Sequence, residues 1–281
     1  MLIITTTTQL KELVTKLKRE NAIAIDTEFV RRETYYAKLC LIQIATSRDC
    51  YIIDPLNLEL DAFSEILTDK KIVKVLHAPL QDIGIFYNIL GIYTANVFDT
   101  QEAAKLCGIK NQISYQDLCQ KALGVHIDKE QQFRDWQVRP LPQDMLDYAA
   151  QDVTHLLRIY EKLRGEMFAC HCIDKFYEAM DIYNHKEFYL PDLEKVWTKI
   201  KTNEKAANVI KNLQMLAAFR EEAAMKLDLP RQHVINDNAL VAIAKNLPTN
   251  AKDFARLSIR SRLDTEQLEE LFDLCLGILE V

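Results

Sequence analysis

The chain has 281 residues, of which 49% are hydrophobic and 27% charged, the composition of an ordinary globular protein. This length suffices for one large domain, or for one medium and one small domain. The net charge of −6 gives no support to nucleic-acid binding, which usually shows a basic footprint. An acidic catalytic region stays compatible with such binding if bound cations neutralise its carboxylates.

Seven cysteines, an odd number without paired CxxC spacing, favour reduced thiols and a cytoplasmic location. We find no basic start followed by a long apolar core at the N-terminus, and no apolar run of the roughly 20 residues that span a bilayer. We therefore expect no secretory signal and no membrane partner. The "CHC" cluster at 170–172 resembles a metal site, but adjacent ligands without a second pair fall short of a zinc motif.

The first half of the chain alternates between strand and helix patterns. "LIITT" predicts a short strand, and Leu10, Leu13, Val14 and Leu17 then follow helical spacing. "NAIAIDTEF", "KLCLIQIA" and "CYIIDP" predict three successive strands, the last two joined by the hairpin turn "TSRD".

Strands and helices continue to alternate after this hairpin. A helix around Phe63 precedes the strand "KIVKVLHA", and Pro79 starts a helix with an apolar stripe over 83–90. "NVFDT" predicts a short strand ending in an N-cap, and helices follow to about residue 168. This order predicts an α/β fold with a mixed sheet flanked by helices.

The remainder of the chain is predicted to be helical. Residues 181–195 lack periodicity and predict a linker, and three amphipathic segments bounded by Pro, Asn or Asp follow. We therefore divide the chain into a first domain at 1–170, a connecting region at 171–200 and a small helical bundle at 201–281.

Two carboxylates interrupt the apolar strand "AIAIDTEFV". Asp26 and Glu28 are two residues apart, so on a strand their side chains point to the same face and repel each other. Such a pair requires compensating positive charge.

Two further acids stand in helical contexts. Asp82 lies in the first turns of its helix, and Asp152 follows Tyr148 by one turn, so those two side chains lie one above the other. Each feature has a structural alternative. Asp82 also suits the helix dipole, Tyr148 and Asp152 also suit a surface hydrogen bond, and His77 also suits a buried, hydrogen-bonded histidine.

Three segments resemble, in order, the exonuclease motifs of ribonuclease D, a DEDD 3′–5′ exonuclease family of the tyrosine subgroup. They are "AIDTEFVRRETYYAKLCLIQIA", "VLHAPLQDIGIFYNILG" with "FDTQEAA", and "LDYAAQDVTHLL". The segment "LGVHIDKEQQFRDWQVRPL" is similar to the family's lysine- and DW-containing stretch. The resemblance covers roughly residues 20–165 and implies a ribonuclease H-like sheet.

The resemblance also implies the site residues. The metal ligands fall on Asp26, Glu28, Asp82 and Asp152. These four acids and Tyr148 are the five catalytic positions. Two Mg²⁺ or Mn²⁺ ions roughly 4 Å apart would stabilise the charge that develops on a phosphodiester. Tyr148 would orient the attacking water, since a tyrosine with a pKa of about 10 is a poor base near neutral pH.

Each residue that we assign to a substrate contact also has an alternative role. Tyr35 and Tyr36 suit stacking on terminal bases or packing against the sheet. Arg139 suits a phosphate contact or a solvated surface position, and His77 is included as a substrate-binding candidate.

The segment "LQMLAAFREEAAMKLDLPRQHVINDNALVAIAKNLP" is similar to the helicase-and-RNase-D C-terminal (HRDC) domain, an auxiliary nucleic-acid-binding or interaction module. The resemblance thus implies a monomeric 3′–5′ exoribonuclease that trims RNA 3′ ends, with tRNA precursors the expected substrate and no organic cofactor. A DNA exonuclease uses the same carboxylates, and a non-catalytic RNA-binding scaffold is the alternative of another class.

Overall fold

A computed structural model describes residues 1–109, 111–127, 134–257 and 261–279. The chain forms two compact units, the first comprising residues 1–30 and 37–189 and the second residues 31–36 and 190–281. Part of the predicted lysine- and DW-containing stretch, residues 128–133, lies outside the described residues.

The first unit is built on a six-stranded mixed sheet. Its strands are β1 (Leu2–Ile4), β2 (Ala22–Val30), β3 (Lys38–Ala45), β4 (Cys50–Ile53), β5 (Val73–Leu76) and β6 (Val97–Asp99). Their order is β1-β4-β3-β2-β5-β6. Strand β2 is central, antiparallel to β3 and parallel to β5, and β3 and β4 form the predicted hairpin. The mixed sheet expected from the sequence is confirmed.

Helices of the first unit follow the predicted order. They are α1 (Thr7–Leu17), α2 (Asp61–Leu67), α3 (Leu80–Leu90), α4 (Thr100–Leu106), α5 (Tyr115–Leu123), α6 (Gln143–Thr154), α7 (Leu156–Ala169), α8 (Ile173–Met180) and α9 (Lys186–Tyr189). Short 3₁₀ turns lie at Pro55–Asn57 and Asp181–Asn184. Helix α6 packs against β2, β3 and β4, and α7 packs against β2 and β5. Both helices therefore lie against the central strand that carries the two carboxylates.

Helix starts are marked by side-chain caps. Thr6 and Gln9 form a capping box at the start of α1, where each side chain bonds a backbone N–H that the helix leaves free. The carboxylate of Asp99 accepts from the backbone N–H of Gln101 and caps α4, as the "NVFDT" pattern predicts.

The boundary between the units differs from the predicted one. Residues 171–189 belong to the first unit because Phe176, Met180 and Tyr183 are buried in its core. The lack of periodicity in this stretch reflects a 3₁₀ turn followed by a four-residue helix, and the predicted linker at 181–195 is wrong for its first half. Residues 31–36, which directly follow β2, belong to the second unit.

The second unit is the predicted helical bundle. It contains a 3₁₀ turn at Val196–Lys199 and the helices α10 (Ala207–Leu227), α11 (Arg231–Val234), α12 (Asp237–Lys245), α13 (Ala251–Arg256) and α14 (Thr265–Leu279). Leucines and isoleucines of α10, α12 and α14 form its core. Arg220, 4% exposed, is paired inside this unit with Asp237 at 2.7 Å.

Within the described ranges, none of the helices combines the length and the apolar character needed to cross a bilayer.

Candidate active site

The two strand carboxylates converge with a third from a helix. Oxygens of Asp26 and Glu28 on β2 and of Asp152 on α6 all lie within 4.8 Å of one another. The two strand residues share a face because side chains alternate along β2, and α6 packs on that strand. Residues more than 120 positions apart in the chain therefore present their oxygens to one point.

Tyr148 lies one helical turn before Asp152, so the Tyr148 hydroxyl and the Asp152 carboxylate are on the same face of α6. The Tyr148 ring is 7% exposed and packs against the indole of Trp136, with 6.1 Å between the ring centres. This packing fixes the ring, so the hydroxyl has a defined position beside the carboxylates.

Asp82 reaches the same cavity from the first turn of α3. It is 7% exposed, and its carboxylate accepts a hydrogen bond from the hydroxyl of Thr27, the residue between the two strand acids. It does not belong to the trio within 4.8 Å, although it lines the cavity with them. The cavity has a volume of about 510 Å³.

Burial raises the pKa of every one of these acids, and repulsion raises the pKa of the two strand acids further. Burial raises the pKa of Asp26 well above its usual range, and the charges of Asp82, Asp152 and Glu28 raise it further. Burial, followed by repulsion from Asp152 and Asp82, raises the pKa of Glu28 to about 9. Burial raises the pKa of Asp82 to about 6 and that of Asp152 to about 7.

The charge of these acids is not compensated by the described residues around them. Among the described residues that line the cavity, none is a lysine or an arginine. A buried carboxylate cluster is costly unless it is paired, protonated or bound to metal. The oxygen-only ligands suit hard divalent cations such as Mg²⁺ and Mn²⁺. The site therefore fits a metal-dependent enzyme.

His77 lines the cavity as a neutral, fully engaged ring. Its Nδ1 lies 2.9 Å from the Thr100 hydroxyl, and its Nε2 lies 2.9 Å from the carbonyl oxygen of Ile113, to which it donates. Burial lowers the pKa of His77 to about 4. Both ring nitrogens have hydrogen-bond partners inside the protein. His77 therefore matches the structural alternative from the sequence, a buried and hydrogen-bonded histidine.

The two tyrosines considered for base stacking lie in the second unit. Tyr35 is 8% exposed, its hydroxyl donates to Glu221 at 2.5 Å, and the guanidinium of Arg231 lies over its ring. Tyr36 packs edge-on against Tyr35, and its backbone N–H donates to Asp228. These contacts favour packing over base stacking. The tyrosines pack within the second unit, whereas the sequence suggested packing against the sheet.

Arg139 has an internal role. Its guanidinium donates to both carboxylate oxygens of Asp54 and to the carbonyl oxygens of Trp136, Val138 and Cys40. It does not line the cavity. These bonds give Arg139 a structural role in the first unit, and the phosphate contact stays a prediction.

Three residues beside the acids were missed from the sequence. Thr27 lies between the two strand acids, and its hydroxyl donates a hydrogen bond to Asp82. Gln43 is fully buried opposite Asp26, and in the described part of the chain neither polar atom of its side chain has a hydrogen-bond partner. In the sequence, Gln43 is the one polar residue within the apolar stretch "LCLIQIA", and this feature could have identified it. Phe29 lines the cavity and is partly exposed.

Comparison with known proteins gives matches over both units. The 3′–5′ exonuclease family profile matches residues 1–167, and the HRDC domain profile matches residues 211–274. The ribonuclease D of Bartonella henselae is 37% identical over 262 residues, with 92% of this chain and 64% of that protein covered. The ribonuclease D of Granulibacter bethesdensis is 38% identical over 256 residues, with 90% and 65% covered. The chain thus spans about two thirds of the length of these relatives.

A solved structure agrees with these matches. The crystal structure of Escherichia coli RNase D, described as an exoribonuclease involved in structured RNA processing, superposes with a TM-score of 0.84 at 29% identity. The match covers 99% of this chain and 75% of that one. The chain therefore belongs to the ribonuclease D family of 3′–5′ exonucleases and carries an HRDC domain after its exonuclease region.

Proposed function

We propose that this protein is a metal-dependent 3′–5′ exoribonuclease that releases nucleoside 5′-monophosphates from RNA 3′ ends. The convergence of Asp26, Glu28 and Asp152 within 4.8 Å beside Tyr148, in a chain of the ribonuclease D family, carries this proposal. The cavity volume of about 510 Å³ is within the range of sites that enclose a small ligand, about 300 to 1,000 Å³.

Asp26, Glu28, Asp82 and Asp152 are proposed to hold two divalent ions, Mg²⁺ or Mn²⁺. When bound, such ions supply charge stabilisation for the attacking and leaving oxygens of a phosphodiester displacement. The raised pKa values support this assignment, since the four acids gather in a pocket that disfavours their charged forms. Thr27 holds the Asp82 carboxylate from the side of β2.

Tyr148 is proposed to orient the attacking water. Burial, followed by repulsion from Asp152, Glu28 and Asp26, raises the pKa of Tyr148 above its usual range. Its hydroxyl therefore keeps its proton near neutral pH and acts by hydrogen bonding. The packing on Trp136 positions that hydroxyl.

Phe29 is proposed to contact the terminal base. It follows Glu28 at a shift in strand register, lines the cavity and leaves part of its ring exposed. Aromatic faces stack on bases of any sequence, as trimming of varied 3′ ends requires.

The substrate is proposed to be structured RNA with 3′ extensions, tRNA precursors above all. The description of the Escherichia coli relative as an exoribonuclease involved in structured RNA processing supports RNA. We further propose that the protein acts as a monomer without an organic cofactor. A cytoplasmic location is supported by the absence of disulfides among its seven cysteines.

The test is a 5′-labelled RNA with a 3′ single-stranded tail, incubated with EDTA, Mg²⁺ or Mn²⁺ and resolved to single nucleotides. We expect a ladder that shortens from the 3′ end only when metal is present. Asp26→Asn should abolish the ladder, whereas Asp147→Asn, which changes an exposed acid of α6, should leave it unchanged.

A DNA oligonucleotide of the same sequence tests the alternative substrate. Cleavage of DNA as fast as RNA would refute the assignment to RNA while leaving the exonuclease assignment intact. A metal-independent ladder, or full activity in Asp26→Asn, would refute the metal site itself.

A further inference from the structure

Three cysteine sulfurs meet in the first unit. Cys107 ends α4, Cys170 follows α7 and Cys172 precedes α8, and their Sγ atoms all lie within 4.8 Å of one another. The Sγ atoms of Cys170 and Cys172 are 2.9 Å apart. None of the three lines the cavity that contains the carboxylates.

A backbone reversal at His171 brings the last two cysteines together. His171 has a left-handed conformation with φ of +56°. The backbone N–H groups of His171 and Cys172 donate to the carbonyl oxygens of Phe168 and Met167, which closes the end of α7. Two cysteines separated by one residue therefore present their sulfurs to the same side.

The third cysteine comes from a distant part of the chain. The backbone N–H of Cys107 donates to the carbonyl oxygen of Ala103 in the last turn of α4, which fixes this residue against the helix end. Helix α4 packs against both α7 and α8. The cluster thus connects three elements, and the "CHC" pattern gains the additional ligand that it lacks in the sequence.

The sulfur positions are close to those of a metal–thiolate site. Zinc–sulfur bonds of about 2.3 Å place two sulfurs of a tetrahedral site about 3.8 Å apart. The Cys170–Cys172 separation of 2.9 Å is shorter than that value, and no pair in the cluster is more than 4.8 Å apart. Cys172 is buried, Cys107 is half-buried and Cys170 is exposed, so the exposed side chain is the one free to adjust and solvent reaches the site.

We propose that Cys107, Cys170 and Cys172 bind a thiophilic cation, Zn²⁺ in first place, with a fourth position open to solvent. Soft thiolates select zinc and Cu⁺ over Mg²⁺ and Mn²⁺, so this site and the carboxylate site take different ions. Binding releases the thiol protons and cross-links α4, α7 and α8.

The experiment uses the full chain, reduced with a phosphine, freed of metal and titrated with Co²⁺ as a probe. One equivalent should produce the sulfur-to-cobalt charge-transfer band in the near ultraviolet, and Zn²⁺ should then remove it. Cys170→Ser, at an exposed position, should lower the affinity by roughly tenfold or more because one of three thiolates is lost. Cys107→Ser should do the same.

Two controls separate this site from the others. Cys50→Ser removes a half-buried cysteine outside the cluster and should leave the titration unchanged. Asp26→Asn should retain the thiolate band although the carboxylate site is damaged. Absence of the band, or its persistence at full affinity in both Cys107→Ser and Cys170→Ser, would overturn the proposal.

Discussion

Asp152→Asn tests whether the buried acids destabilise the metal-free protein. The pKa of Asp152 is about 7, against an ordinary value of 3.8, because burial disfavours its charged form. The folded protein therefore holds a proton that the unfolded chain releases near pH 4. Stability contributed by this group is present at low pH and is lost as pH rises from about 4 to about 7.

The size of the effect follows from the two pKa values. The difference of about three pH units corresponds to at most about 4 kcal/mol at pH 8, at about 1.4 kcal/mol per unit. An asparagine keeps the shape of the side chain without its charge. In EDTA at pH 8 we expect Asp152→Asn to raise the free energy of unfolding of the first unit by about 1 to 4 kcal/mol. At pH 4 the difference should vanish.

Metal should reduce the advantage of the variant. Mg²⁺ at about 100 times its dissociation constant should stabilise the wild type by about 2.7 kcal/mol. The variant, which lacks one proposed ligand, should gain much less and should show no exonuclease activity. The wild type thus gains up to about 2.7 kcal/mol relative to the variant when the ions are bound.

Urea titration followed by tryptophan fluorescence measures these changes. Trp136 lies in the first unit and Trp197 in the second, so a Trp197→Phe background reports the first unit alone. Asp147→Asn in the same background is the control, since Asp147 is exposed on α6. Lower stability of Asp152→Asn in EDTA at pH 8, or equal stabilisation of both proteins by Mg²⁺, would refute the reasoning.

Three further substitutions address single residues. Tyr148→Phe should reduce kcat by about 10²-fold with little change in the Mg²⁺ concentration for half activity, and a comparable loss of metal affinity would contradict an orienting role. Phe29→Ala should raise KM by about fivefold or more, measured on RNAs with the same tail, because one base loses its stacking partner; an unchanged KM would exclude that contact. Arg139→Ala should destabilise the first unit by roughly 2 kcal/mol in a urea titration, because Asp54 loses a charged partner. At a temperature where the variant is folded, KM should be unchanged, and a raised KM would support the phosphate contact.

Local pattern was enough for much of the site. The spacing of Asp26 and Glu28 on a strand places them on one face, and the spacing of Tyr148 and Asp152 on a helix stacks them in adjacent turns. The order of apolar segments predicted the strands, the hairpin and the helical bundle. These features depend on periodicities of two and 3.6 residues, which a sequence displays directly.

Contacts between distant segments were decided by the tertiary structure. Only packing brings Asp82 to Thr27, Gln43 opposite Asp26, and Cys107 to Cys170 and Cys172. Packing also buries Tyr35 in the second unit and pairs Arg139 with Asp54, partners that the sequence did not indicate. A residue's type and spacing fix the direction of its side chain within one element. Its partners depend on which elements share a core, and the burial of apolar surface across the whole chain determines that choice.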